Sequence, residues 1–172
     1  MKRSSHTVAV CGITAALSIV LMALGSALGI MTYACPILVG ILLLCVREEL
    51  GCRWALTLWA AIGLLAVMLV PELEMTATFI GIFGWYPAVQ PALNKLPKLL
   101  RPMCKLVALN AGAVLSYALL MKVTGLEDMP NTLWAWVLLL VMANLVFLLY
   151  DLALTRLRVT MVPRMRRLFG GR

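Results

Sequence analysis

The sequence predicts an all-α integral membrane protein, a bundle of six transmembrane helices with both termini in the cytoplasm. Three observations predict it. Hydrophobic residues make up 63% of the 172 and charged residues only 13%, and mean hydropathy is +1.00, so one soluble core cannot bury this chain and lipid is its solvent. A hydrocarbon slab of roughly 30 Å takes roughly 20 apolar residues per helical crossing, and six apolar stretches lie near 7–30, 33–46, 54–70, 75–93, 103–123 and 132–155. The cations fall in alternate gaps. Residues 1–172 thus read as a single membrane domain with a basic cytoplasmic tail over 156–172.

Lys2 and Arg3 precede span one, Arg47 and Arg53 lie between spans two and three, and Lys95, Lys98, Arg101 and Lys105 between spans four and five. Arg156, Arg158, Arg164, Arg166, Arg167 and Arg172 follow span six, whereas the other side holds Lys122 beside Glu72, Glu74, Glu127 and Asp128. By the positive-inside rule both termini are cytoplasmic. The net charge of +8 therefore implies no nucleic acid; the tail, with Phe169, suits anionic membrane lipid.

Span one exceeds the roughly 7–15 apolar residues of a secretory signal core. Its Ala9, Gly12, Ala16, Ala23 and Ala27 fall within a stripe about 60° wide at roughly 100° per residue. Gly25 and Gly29 form a second, adjacent pair. Small rows of this kind let another helix approach closely in lipid, so the face either packs inside the bundle or docks a separate membrane subunit. Span two is short and borrows Arg47 or its neighbours by snorkelling. Pro36, Pro71, Pro102 and Pro130 mark span borders. In span four, Pro87 and Pro91 each remove a backbone donor, which predicts a bend at Gly84-Trp85-Tyr86-Pro87. Trp85 and Tyr86 are either interfacial aromatics or gating or ligand residues.

Asn110 and Asn144 lie at membrane depth and serve either interhelical hydrogen bonds or a ligand. Asp151 is expected to pair with Arg47, Arg53 or Lys105. On the outer side Tyr33, Glu72, Glu74, Thr76, Thr78, Tyr117, Trp134 and Trp136 form a candidate mouth of carboxylates, hydroxyls and aromatic faces, suited to a small cationic or flat organic molecule. Cys11, Cys35, Cys45, Cys52 and Cys104 lack paired-ligand spacing, and His6 is the only histidine, so no metal site or cofactor is expected. Residues 47–53 contain the Glu-Glu-x-x-x-Arg signature of intramembrane CAAX-type proteases. That family also needs later histidines, which this chain lacks, so no catalytic residues and no enzyme are expected. Glu48 and Glu49 read instead as loop charges pairing with Arg47 and Arg53.

Thr14-Ala15-Ala16-Leu17-Ser18, Ala23-x-x-x-Ala27, and Phe83-Gly84-Trp85-Tyr86-Pro87 followed by Lys95 and Leu109-Asn110 give the whole chain a pattern that resembles the substrate-binding S component of energy-coupling factor vitamin transporters, or an uncharacterised bacterial relative. The resemblance implies a multi-pass protein of the bacterial plasma membrane that captures a micronutrient. It also implies that the Ala-x-x-x-Ala face engages a transmembrane coupling subunit, through which two cytoplasmic ATPases drive reorientation. No Gly-rich phosphate loop is present. The residue sets that mark the thiamine, riboflavin and biotin members are absent. The candidate ligand residues are Asn110, Asn144, Glu74, Thr78 and Tyr117, and the candidate subunit contacts are Gly12, Ala16, Ala23 and Ala27. The alternative is a non-transporting membrane scaffold or assembly protein that uses the same face.

Overall fold

The computed structural model describes residues 2–29, 31–97, 100–124 and 133–169. The described residues are all-helical, and three helical stretches, Ser5–Leu28, Cys52–Leu69 and Leu140–Thr160, are long and apolar enough to cross a membrane. Glu127, Asp128, Pro130 and Lys98 lie outside the described residues, as do the side chains of Lys122, Trp136 and the tail beyond Thr160.

The chain divides into two compact units, residues 1–124 and 125–172. The first begins with α1 (Lys2–Leu28), α2 (Ala34–Leu50) and α3 (Cys52–Leu69), which pack mutually. α1 stops at Gly29, whose φ of 62° suits a residue without a Cβ; its N–H closes the helix on Gly25 O and Ser26 O, each at 3.2 Å. α2 starts at Ala34 with Tyr33 as its capping residue, so Tyr33 belongs to the connecting turn. α2 then runs on through Arg47, Glu48 and Glu49. The paired glutamates are therefore in the last helical turn rather than in a loop, because nothing between Ala34 and Leu50 breaks the helix after Pro36.

Gly51 alone joins α2 to α3. It caps both: its N–H donates to Arg47 O at 2.9 Å, and its carbonyl accepts from Ala55 N–H at 3.2 Å. Its φ of 100° and ψ of 172° lie in territory that is essentially glycine-only. The core of the unit is Met22, Val39, Leu43, Ile62, Ala66, Met75 and Phe79, with Val46, Leu58 and Val70 around it. Opposite this core, Ile13, Leu17, Val20, Leu24 and Leu28 of α1 and Leu64, Val67 and Met68 of α3 are exposed. Apolar faces of this extent are expected against lipid, not water.

The fourth segment is broken as its prolines predict. α4 (Leu73–Thr78) passes into a π turn (Phe79–Phe83), and after Gly84-Trp85 the helix resumes as α5 (Tyr86–Leu93). Pro87 and Pro91 lack the N–H groups that would have reached the carbonyls four residues back. The extra residue of the π turn shows as a bond from Gly84 N–H to Phe79 O, 2.8 Å. α6 (Leu100–Thr124) then packs on α4 and the π turn. At their crossing Gly81 and Gly112 meet backbone to backbone. A Cβ on Gly81 would lie 2.8 Å from Gly112 O and 2.9 Å from Ser116 Cβ.

In the second unit, α7 (Leu133–Phe169) is one helix of 37 residues. At 1.5 Å per residue it is about 55 Å long, well beyond a single crossing. The basic tail is thus helical as far as Phe169.

Candidate functional site

Short turns between successive helices bring the start of α2, the end of α3 and the start of α4 to one end of the first unit. There the Tyr33 hydroxyl donates to Glu74 Oε1 at 2.5 Å. Burial, the bond to Glu74, and the charges of Glu74, Glu72 and Tyr117 push the Tyr33 phenol up to about 12. Tyr33 and Glu74, both expected at the outer mouth, are thus brought into contact. The Thr78 hydroxyl donates to Glu74 O of its own helix at 2.7 Å, and its side chain is buried. Thr76 is also buried, but its Oγ1 has no hydrogen-bond partner among the described residues. The other buried serine and threonine hydroxyls among the described residues, Ser18, Thr78 and Ser116, bond back to the carbonyl four residues earlier.

The two asparagines also bond within their own helices. Asn110 Nδ2 donates to Leu106 O at 2.9 Å and Asn144 Nδ2 to Leu140 O at 2.7 Å, while Asn144 Oδ1 is buried with no partner among the described residues. Trp134, in the second unit, is exposed. Tyr86 is buried, and Trp85 Nε1 donates to Gly81 O at 2.8 Å. Their rings meet edge to face, 6.1 Å apart. The break in the helix exposes backbone carbonyls, and Trp85 satisfies one of them.

The opposite end of the unit gathers the polar residues at the close of α2. Arg47 Nη1 pairs with Glu48 at 2.6 Å, and Arg47 Nε donates to Ala88 O of α5 at 3.0 Å. Cys52 Sγ lies 3.5 Å from the same carbonyl. Glu49 pairs with His6 of α1 at 3.7 Å, not with Arg53 as expected, because the last turn of α2 carries it toward the start of α1. Sequence reading missed this link, since a lone terminal histidine gives no spacing signal.

The small residues of α1 divide between two faces. Gly25 is packed, with a Cβ there meeting Cys35 Cβ at 3.3 Å and Met75 Cε at 3.4 Å. The predicted stripe is open: Gly12, Ala16 and Ala27 are exposed, Ala23 is half-buried, and nothing lies within 4 Å of a Cβ built on Gly12. Ser18 and Met22, on the other side of α1, face the bundle. The internal small-residue contact is instead Gly81 on Gly112, which sequence periodicity did not signal because the partners belong to different helices. No family model, no curated protein and no solved structure matches the chain.

Proposed function

We propose that this chain is the substrate-binding membrane subunit of a micronutrient importer of the energy-coupling factor type. It crosses the bacterial plasma membrane six times with both termini in the cytoplasm. Its docking surface for a transmembrane coupling subunit, and through it for two ATPases, is the α1 face of Gly12, Ala16, Ala23 and Ala27. The exposure of that face carries the reading: α1 turns Ser18, Met22 and Gly25 inward and leaves a smooth small-residue row on the surface. A helix backbone can approach such a row closely, gaining dispersion contacts that lipid chains do not supply as well. The end formed by Tyr33, Glu72, Glu74 and Tyr117 supports capture of a small cationic or flat organic solute from outside.

The test is co-expression with a coupling subunit and its ATPases, followed by co-purification. Ala16→Leu plus Ala27→Leu places two bulky side chains on exposed positions and should abolish association while thermal stability is retained. Equal recovery of the doubly substituted chain would reject the docking role. Absence of any complex with the unaltered chain would instead favour a non-transporting scaffold.

A further inference from the structure

Segment four is tied to α2 at two points that match in register. Tyr33, which caps α2, donates its hydroxyl to Glu74 of α4, and Arg47 Nε, in the last turn of α2, donates to Ala88 O of α5. Each pair is separated by 41 residues, so α2 and segment four run parallel from the first tie to the second. Between the ties α2 is one unbroken helix, whereas segment four passes through the π turn and Gly84-Trp85. α4 has 6 residues and α5 has 8, lengths at which a helix does not hold itself together alone.

The two halves are held unequally. Among the described residues, the bond from Tyr33 to Glu74 is the one hydrogen bond that links an α4 side chain to another element. Thr78 bonds within α4, and Thr76 Oγ1 bonds nothing there. The rest of the hold on α4 is apolar, with Met75 in the core, and such burial has no preferred direction. α5 instead offers Ala88 O to two donors, Arg47 Nε at 3.0 Å and Cys52 Sγ at 3.5 Å, and Glu48 pairs with the same guanidinium. Between the halves Gly81 lies backbone to backbone on Gly112 of α6. That contact has no side chains to interlock.

We infer that the π turn is a hinge: α4 rocks on the Gly81–Gly112 contact when Tyr33 releases Glu74, while α5 stays clamped to α2 by Arg47. A π turn holds one residue more than the α-helix around it, and hinges are short stretches at element ends that absorb backbone change. Pro87 has no N–H with which to carry the hydrogen-bond ladder stiffly across the break. The releasable tie is exposed, so a cationic group that takes the Glu74 carboxylate would work the hinge. The trigger, though not the hinge, rests on the proposed solute capture.

Hydrogen–deuterium exchange read by mass spectrometry, on the full chain in one detergent with no solute added, tests the hinge apart from that function. Tyr33→Phe should speed exchange over residues 73–83 by about fivefold, the factor that corresponds to a net hydrogen bond of about 1 kcal/mol, and leave residues 86–94 unchanged. Arg47→Gln should do the reverse, speeding exchange over 86–94 more than over 73–83. Local opening of one half at a time gives this pattern. Equal acceleration of both stretches by Tyr33→Phe would show that segment four moves as one piece, and unchanged exchange over 73–83 would show that the tie does not hold α4. Either result overturns the hinge.

Discussion

Gly112→Ala should destabilise the protein although alanine is the better helix former. The added Cβ would overlap the carbonyl oxygen of Gly81 and lie 3.2 Å from its carbonyl carbon. Both are backbone atoms, so no side chain can rotate away, and α6 must separate from the π turn by something on the order of 1 Å. Overpacking of this kind costs about 1–3 kcal/mol, against a helix-propensity gain of about 0.5–1 kcal/mol. The net is a loss of up to about 2 kcal/mol, and at roughly 2–4 °C per kcal/mol for a chain of this size the midpoint should fall by several degrees. Gly12→Ala is the matched comparison, because nothing lies within 4 Å of its added Cβ and only the propensity gain remains. Thermal unfolding of both variants in one detergent, followed by circular dichroism, measures the difference. If Gly112→Ala is as stable as Gly12→Ala, the two helices do not meet through their backbones and the crossing is wrong.

Two further perturbations probe the turns. Gly51→Ala should cost about 1–3 kcal/mol through backbone strain alone, since no neighbour lies within 4 Å of its Cβ; an unchanged midpoint would show that the α2–α3 connection is not held at φ 100°. Tyr33→Phe should lower the midpoint modestly at neutral pH by removing the hydroxyl bond to Glu74. Because the folded pKa is raised to about 12 from 10, the protonated phenol stabilises the fold below pH 10, and that contribution is lost as pH rises toward 12. The gap between Tyr33→Phe and the unaltered chain should therefore close over that window, and a gap that widens with alkalinity would refute the pairing.

The sequence carried the helical class and the proline-driven break because both follow from local chemistry. Apolar runs dictate helices in lipid, and the missing N–H groups of Pro87 and Pro91 dictate where segment four fails. The π turn before the break was not legible. It arises where α4 must meet α6 through Gly81 and Gly112, and a contact between distant residues leaves no periodicity in either segment. One contact of the expected mouth was legible, as Tyr33 and Glu74 are brought together across 41 positions. The bond of the Thr78 hydroxyl to the carbonyl one helical turn back was not legible.

Arg47 shows how one side chain can link two elements. Glu48 lies 2.6 Å from Arg47, and Glu49 Oε1 lies 3.7 Å from His6 Nε2. The same guanidinium donates to Ala88 O, beside the helix opened by Pro87 and Pro91. Arg47 Nε thus joins α2 to the broken segment, while Nη1 pairs with Glu48 within α2. Removing Arg47 would take one donor from Glu48 and one from the Ala88 carbonyl, so the cluster braces α2 against the proline-broken segment.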